Sequence, residues 1–378
     1  MAILNFIDFL TRDTGEAAAS SGTIALVEVD SAFVLQANPT TTGNARYRMG
    51  IHGADAFKTN HDLATAYYTF EIRFTTLPAS ASEEFVVCLA TNQGLKLALR
   101  ITSAGKIQAY QTNGTTQLGS DGATTLTTGT WYRIAITCGT GASAAYSISL
   151  NGTVELSGTG NLNTLNNGFL GLGKYNDRNN QSVDYYYRRA VIDDAAYVTG
   201  SFAILRPNVN GSTQQWTNGT NGSDWQELDG LVPVTSEYVR STAANQVALF
   251  GVTDTGTAGI TGTVQAVKQV IYEREDTGGA SEIALRVRSG STNSDSTTVD
   301  AGSTSTATLA RVLLVDPNTS SAWTLSAVDS VEIGAVEGSG SAVRLRMSWA
   351  ALMVLYTPAT AKAPPLRFRP VRVWRRSA

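Results

Sequence analysis

The sequence predicts an all-β protein: two β-sandwich or jelly-roll domains with extended arms at the N- and C-termini. Three observations point there. Apolar and polar residues alternate with period two along many short runs, which gives each run one buried and one wet face. The 378 residues include 35 glycines, in keeping with frequent turns between short strands. Helix-like spacing is confined to the first ten residues and to a turn or two after Thr324, a suitable N-cap before Leu325, Val328 and Val331. The length suffices for two cores. The expected division is an N-terminal arm over 1–20, a first sandwich over 21–200, a second over 201–358 and a basic extended tail over 359–378.

Within the arm, Ile3, Phe6, Ile7, Phe9 and Leu10 fall on a helix-like stripe too short to be stable alone. It reads either as a terminal piece packed on its own sandwich or as a docking peptide for a neighbouring subunit. In the first sandwich, Tyr68, Phe70, Ile72 and Phe74 alternate with Thr69, Glu71 and Arg73. Leu95, Leu97, Leu99 and Ile101 alternate with Lys96, Ala98 and Arg100, and after a turn at Ser103–Gly105 a further strand covers residues 106–110. Tyr132, Ile134, Ile136 and Cys138 alternate along the next strand. A glycine-rich turn at 139–141 leads to Tyr146, Ile148 and Leu150, and Asn151-Gly152 supplies a tight hairpin turn.

The order YYTFEIRF, LKLALRITSAGKIQAY, TTGTWYRIAIT, YSISLNG, NNGFLGLGKYN and VIDDAAY resembles the laminin-G-like, concanavalin-A-like jelly roll over roughly residues 22–200. The carried features are Gly129–Tyr132, Asn151-Gly152, Gly171–Gly173 and Ile192–Asp194. That resemblance implies a fold and leaves function open, since the fold serves sugar binding, adhesion and plain structure.

A linker-like stretch, 201–223, leads to further strands around 247–252, 264–272, 283–287, 308–315, 331–336, 343–349 and 352–356. This half resembles a domain that recurs in minor virion proteins of tailed bacteriophages, where it often directly follows a laminin-G-like domain. Trp216, Asp276–Gly279, Arg286–Gly290, Asp316-Pro317 and Trp323 carry the resemblance, and no chemistry is attached to them.

Composition narrows the chemistry. There are 2 His, 2 Cys and 4 Met, and no metal-protease, paired-cysteine or nucleophile-elbow spacing. His52 and His61, with Asp55 and Asp62 nearby, read as loop residues before they read as a metal site. Cys88 and Cys138 read as two buried free thiols. The adjacent pairs Glu83-Glu84, placed in a loop after residues 78–82, and Asp193-Asp194 cannot flank one glycosidic bond, because neighbours on a strand point to opposite faces. No catalytic residue is therefore expected, and no cofactor. Calcium is the one candidate ion, on Asn176, Asp177 and Asp184, against a solvated turn. Tyr175, Asn176 and Asp177 are candidate glycan contacts. In the run Tyr185-Tyr186-Tyr187, alternation puts the first and third rings on one face and the second on the other.

Net charge is −3, which gives the molecule no field to attract nucleic acid. Six of the 28 basic residues lie beyond Tyr356 with no acid among them, leaving 22 basic against 31 acidic groups, about −9, in the rest. In this tail Arg367, Phe368, Arg369, Arg372, Trp374, Arg375 and Arg376 are the expected partner contacts. Prolines 364, 365 and 370 block a helix, so the tail reads as a strand added to another subunit's sheet edge in preference to a nucleic-acid arm. No apolar run approaches the ~20 residues of a membrane span. The start, MAILNFIDFLTRDTGE, lacks a basic segment and a cleavage site, so the chain is expected to be made in a host cytoplasm and carried in a virion.

The sequence thus reads as a non-enzymatic structural component of a tailed-phage virion: a capsid decoration, head fibre or tail-associated protein. It would attach multivalently to other virion proteins as a homo-oligomer. The alternative is a carbohydrate-binding adhesin module that recognises host surface glycans.

Overall fold

The computed structural model describes residues 63–359, apart from 93, 113, 175–182, 195–199, 220–222, 231–233, 276–280, 302–306 and 339–343, together with the backbone of five strands within residues 3–50. In chain order the strands of the first body are β1 (Ile3–Ile7), β2 (Glu16–Ala19), β3 (Thr23–Val29), β4 (Ala32–Asn38), β5 (Ala45–Gly50), β6 (Ala66–Phe74) and β7 (Glu83–Ala90). They continue with β8 (Leu95–Ile101), β9 (Ile107–Tyr110), β10 (Trp131–Cys138), β11 (Ala144–Leu150), β12 (Thr153–Gly160), β13 (Asn167–Lys174) and β14 (Tyr185–Asp193).

They form two antiparallel sheets. One runs β12-β11-β10-β6-β14-β4-β3, with β1 also paired to β14, and the other runs β2-β5-β13-β7-β8-β9. The period-two rows do what they predict. Tyr68, Phe70, Ile72 and Phe74 of β6, with Ile134, Ile136 and Cys138 of β10, face Phe85, Leu97, Leu99 and Leu172 of the other sheet in one buried core. Asn151 (φ 51°) and Gly152 (φ 91°) both take the left-handed region that the β11–β12 hairpin needs. The helical stripe expected at the start is not formed over Ile3–Ile7. That stretch is a strand paired with β14, Ile7 opposite Ala190, because an open sheet edge satisfies its backbone better than a lone helical turn.

Tyrosine hydroxyls lace the two sheets together. A register shift in β7 between Glu84 and Val86 lets the carbonyls of Glu84 and Phe85 accept from Tyr185 (2.9 Å) and Tyr187 (2.5 Å). Phe74 packs edge-on against Phe85 and Tyr185 at 5.4 and 5.8 Å. Glu83 and Glu84 do not lie in a loop; they begin β7 and are buried. Glu83 is paired with Lys174 at 3.4 Å.

Strand β8 departs from simple alternation. Lys96 and Arg100, expected on a wet face, are both buried. The Lys96 ammonium donates to the Leu165 carbonyl (2.5 Å), Thr140 Oγ1 (3.2 Å) and the Asn163 carbonyl (3.4 Å), and burial lowers its pKa. Arg100 lies over the Tyr110 ring at 4.0 Å and donates to the Gly114 carbonyl. Cys88 and Cys138 are buried and unbridged.

The second body consists of two further six-stranded sheets and a two-stranded ribbon, built from strands between Ser201 and Pro358. Its longest pair, Gly262–Glu275 with Leu345–Pro358, is buried and largely apolar on both faces, with Lys268 and Gln269 among the buried polar exceptions. One face joins the body's own core with Trp216, Phe250 and Trp323. On the other, Ala266, Val270, Val312, Trp349, Met353 and Leu355 form a separate buried cluster, which Val191 of β14 completes. The two bodies therefore meet at the outer face of β14. The helix α1 (Leu325–Asp329) is capped as expected, Thr324 accepting from the Ala327 N–H.

Candidate functional site

The outer face of the first sheet is built in cross-strand rows. In register, Trp131, Arg73 and Tyr186 stand side by side on β10, β6 and β14, and the next row is Arg133, Glu71 and Arg188. A third row, Ser149, Ala135, Thr69 and Val191, is small and buried, and its Val191 end is the seam with the second body. The first two rows are half-buried. They make a charged, aromatic patch beside the seam.

A β-bulge shapes this patch. Between Arg188 and Val191, β14 uses one more residue than its partner β6 uses between Glu71 and Thr69. The extra residue is Arg189, a non-glycine at φ 55°, a conformation that costs an L-residue about 1–2 kcal/mol. Arg188 and Arg189 consequently reach the same carboxylate. Arg188 Nε donates to Glu71 Oε2 at 2.5 Å, and Arg189 Nη1 donates to Glu71 Oε1 at 3.2 Å. Cation–π contacts fix the rest: the Arg188 guanidinium lies 4.1 Å from the Trp131 ring centre, and that of Arg73 lies 5.4 Å from Tyr186 and 5.9 Å from Trp131. Burial holds the Arg133 guanidinium below its usual range, Glu71 opposes that effect, and Arg189 adds to it. Four guanidiniums thus share two rows with one carboxylate.

This patch offers ion-pairing and ring surface, and no acid–base pair. Both oxygens of Glu71 are engaged by arginines. Asp193 lies on the same face but pairs with Tyr67, four residues along β6 from Glu71, which is about 13 Å and beyond the spacing of a glycosidase pair.

Among the residues singled out from the sequence, Tyr175, Asn176 and Asp177 lie outside the described residues, as do His52 and His61. So do the tail contacts Arg367, Phe368, Arg369, Arg372, Trp374, Arg375 and Arg376. Asp184 is described: burial raises its carboxyl, and its backbone carbonyl accepts from the Thr75 N–H at 3.1 Å. No group of three or more metal-binding side chains occurs among the described residues. Tyr185 and Tyr187 are core residues and Tyr186 alone belongs to the patch, as alternation predicts.

Asp276–Gly279 lie outside the described residues, and the described residues that carry the second half's resemblance hold the fold. Trp216 donates to the Gln246 carbonyl and Trp323 to the Leu313 carbonyl. Arg286 grips Asp295 through two bonds of 2.6 Å. Asp316 accepts from the Asn318 N–H and the Thr319 hydroxyl of its own turn. A polar cavity of about 440 Å³ lies there, lined by Ser289, Asp316, Asn318, Thr324 and Ser330, but its carboxylate is already used by the turn.

Residues 52–202 match the family model described as the concanavalin A-like lectin/glucanases superfamily. The first body is a concanavalin A-like jelly roll. The whole charged patch lies within the matched residues. No curated protein matches the chain. Among solved structures, an endo-β-1,4-glucuronan lyase from the fungus Trichoderma reesei is similar at 11% identity, over 51% of this chain and 96% of that one, with a TM-score of 0.39. The cellulose-induced protein Cip1 is similar at 13% identity, over 52% and 100%, with a TM-score of 0.40. Domain 4 of a GH43 extracellular arabinanase from Geobacillus stearothermophilus, in complex with arabinotriose, gives 14%, 52%, 94% and 0.34. Likenesses this distant assign no substrate.

Proposed function

We propose that the first body is a non-enzymatic glycan-recognition module that binds on the outer face of β6, β10 and β14. The observation that supports this is the two-row patch itself: Trp131 and Tyr186 flank guanidiniums on a sheet face that is half-open while the neighbouring row is closed. Rings and planar guanidiniums suit the faces and hydroxyls of sugars. A jelly roll of the matched superfamily is a familiar carrier for such a surface. Among the described residues of this face, Glu71 and Asp193 stand too far apart to act as a pair, which favours binding over cleavage. A glycan array probed with the full chain tests this, alongside a reducing-sugar assay on every glycan retained. Retention of a defined glycan set without release of ends is the expected result; steady release of ends from a bound glycan overturns the non-enzymatic reading.

The setting we infer is a tailed-phage particle, on the resemblance of the second half alone. Many copies displaying a weak glycan site bind a cell surface tightly through local concentration. Imaging of purified particles with the chain labelled checks that setting.

A further inference from the structure

We propose that the ligand bound here carries an anionic substituent, a carboxylate or sulfate ester on a glycan, and that Arg188 and Arg189 recognise it from the bulge. The inference rests on the glycan-binding reading and adds the charge class.

In a regular strand, neighbouring side chains point to opposite faces. The bulge cancels that rule at one place, so two consecutive guanidiniums stand on one face. The backbone at Arg189 sits in a region that L-residues avoid, and such conformations gather where a side chain must be aimed. Glu71 is the one carboxylate in the two rows, and it occupies Nε of Arg188 and one Nη of Arg189. Each guanidinium has five N–H donors in a planar fork. The side chains of Arg188 and Arg189 remain 22% and 34% exposed, so neither is sealed from solvent. A carboxylate or sulfate matches that fork in shape and charge. Glu71 acts as a resident stand-in for such an anion: it keeps the two guanidiniums aligned while competing with the incoming group. The Trp131 ring under Arg188 restricts its rotation.

Titrations of the full chain with polygalacturonate, dextran sulfate and uncharged dextran test the inference, with single-stranded DNA as a further polyanion. Binding to one or both charged glycans, absent with dextran and weakened steeply by salt, is expected. Polygalacturonate alone identifies a carboxylate, and dextran sulfate alone a sulfate ester. Arg189→Asn, chosen because asparagine accepts the left-handed backbone, should weaken binding roughly tenfold. Glu71→Gln should strengthen it several-fold, and Lys106→Gln, on a distant turn, should leave it unchanged. If Arg189→Asn does not fold, the Glu71→Gln and salt results decide. Glycan binding that is indifferent to salt and to both substitutions overturns this inference while leaving the glycan module standing, and equal affinity for DNA overturns it as unselective polyanion capture. If no glycan of any charge is retained, the module reading falls with it.

Discussion

Two outer sheet faces meet near Val191, and they differ in every respect that matters for binding. The face of the second body is closed and, apart from the buried Lys268 in the row of Met353 and Val312, apolar, with Ala266, Val270, Trp349, Met353 and Leu355 all at 1% exposure or less. The face of the first body is small and closed only in the row at the seam, then becomes arginine, glutamate, tryptophan and tyrosine in the next two rows. The first kind of face gains from exclusion of water and is closed by packing. The second keeps charges half in water, where each pair contributes little to stability and the groups stay available. Location on a sheet does not separate a packing surface from a recognition surface here. What separates them is the point at which charged rows replace closed ones.

Trp349→Ala removes the largest ring of the apolar face and its 2.8 Å bond to the Gly230 carbonyl; a loss of about 3–5 kcal/mol is expected. Urea denaturation measures it, and glycan affinity per folded molecule should not change. Val191→Ala acts on the seam from the other side and should cost about 1.5 kcal/mol. A loss below 0.5 kcal/mol, by the same measure of roughly 0.8 kcal/mol per methylene, means that the seam does not couple the bodies. Glu71→Gln should shift stability by no more than about 1 kcal/mol, so a large loss would make the patch a structural clamp and erase the contrast between the faces. The smallest effect concerns Lys96, a cation whose described acceptors are neutral. Its folded pKa lies below the ordinary 10.5, so the unfolded chain holds the proton more tightly. Stability relative to Lys96→Met should therefore rise as pH climbs from the lowered value towards 10.5 and stay flat beneath it. Thermal melts across that alkaline range check the slope.

The sheets were legible because their inward rows repeat every second residue. Tyr68 to Phe74 and Ile134 to Cys138 announce a buried face without any tertiary information. The start of the chain was not: Ile3, Phe6 and Ile7 fit a helical stripe as well as a strand, and only the free edge of β14 decides between them. The wet face expected for β8 failed for a related reason, since acceptors for Lys96 come from Thr140, Asn163 and Leu165, far along the chain. The charged patch was invisible as a unit because its members are spread from Glu71 to Arg189 and become neighbours only through register. One local sign of it was present. The inward positions of β14 are odd-numbered at Tyr185 and Tyr187 but even-numbered at Ala190 and Ile192, and that slip of phase marks a bulge at the Arg188-Arg189 doublet.

That slip means the chain holds one residue more than the strand requires. Were Arg189 excised, Tyr185 and Tyr187 would still point inward, and so would Ala190 and Ile192, now in unbroken alternation with the same edge partner. A shorter and more regular protein is thus one codon away, with its interior unaltered. What the extra residue changes is the outside alone: without it one guanidinium, not two, would stand over Glu71.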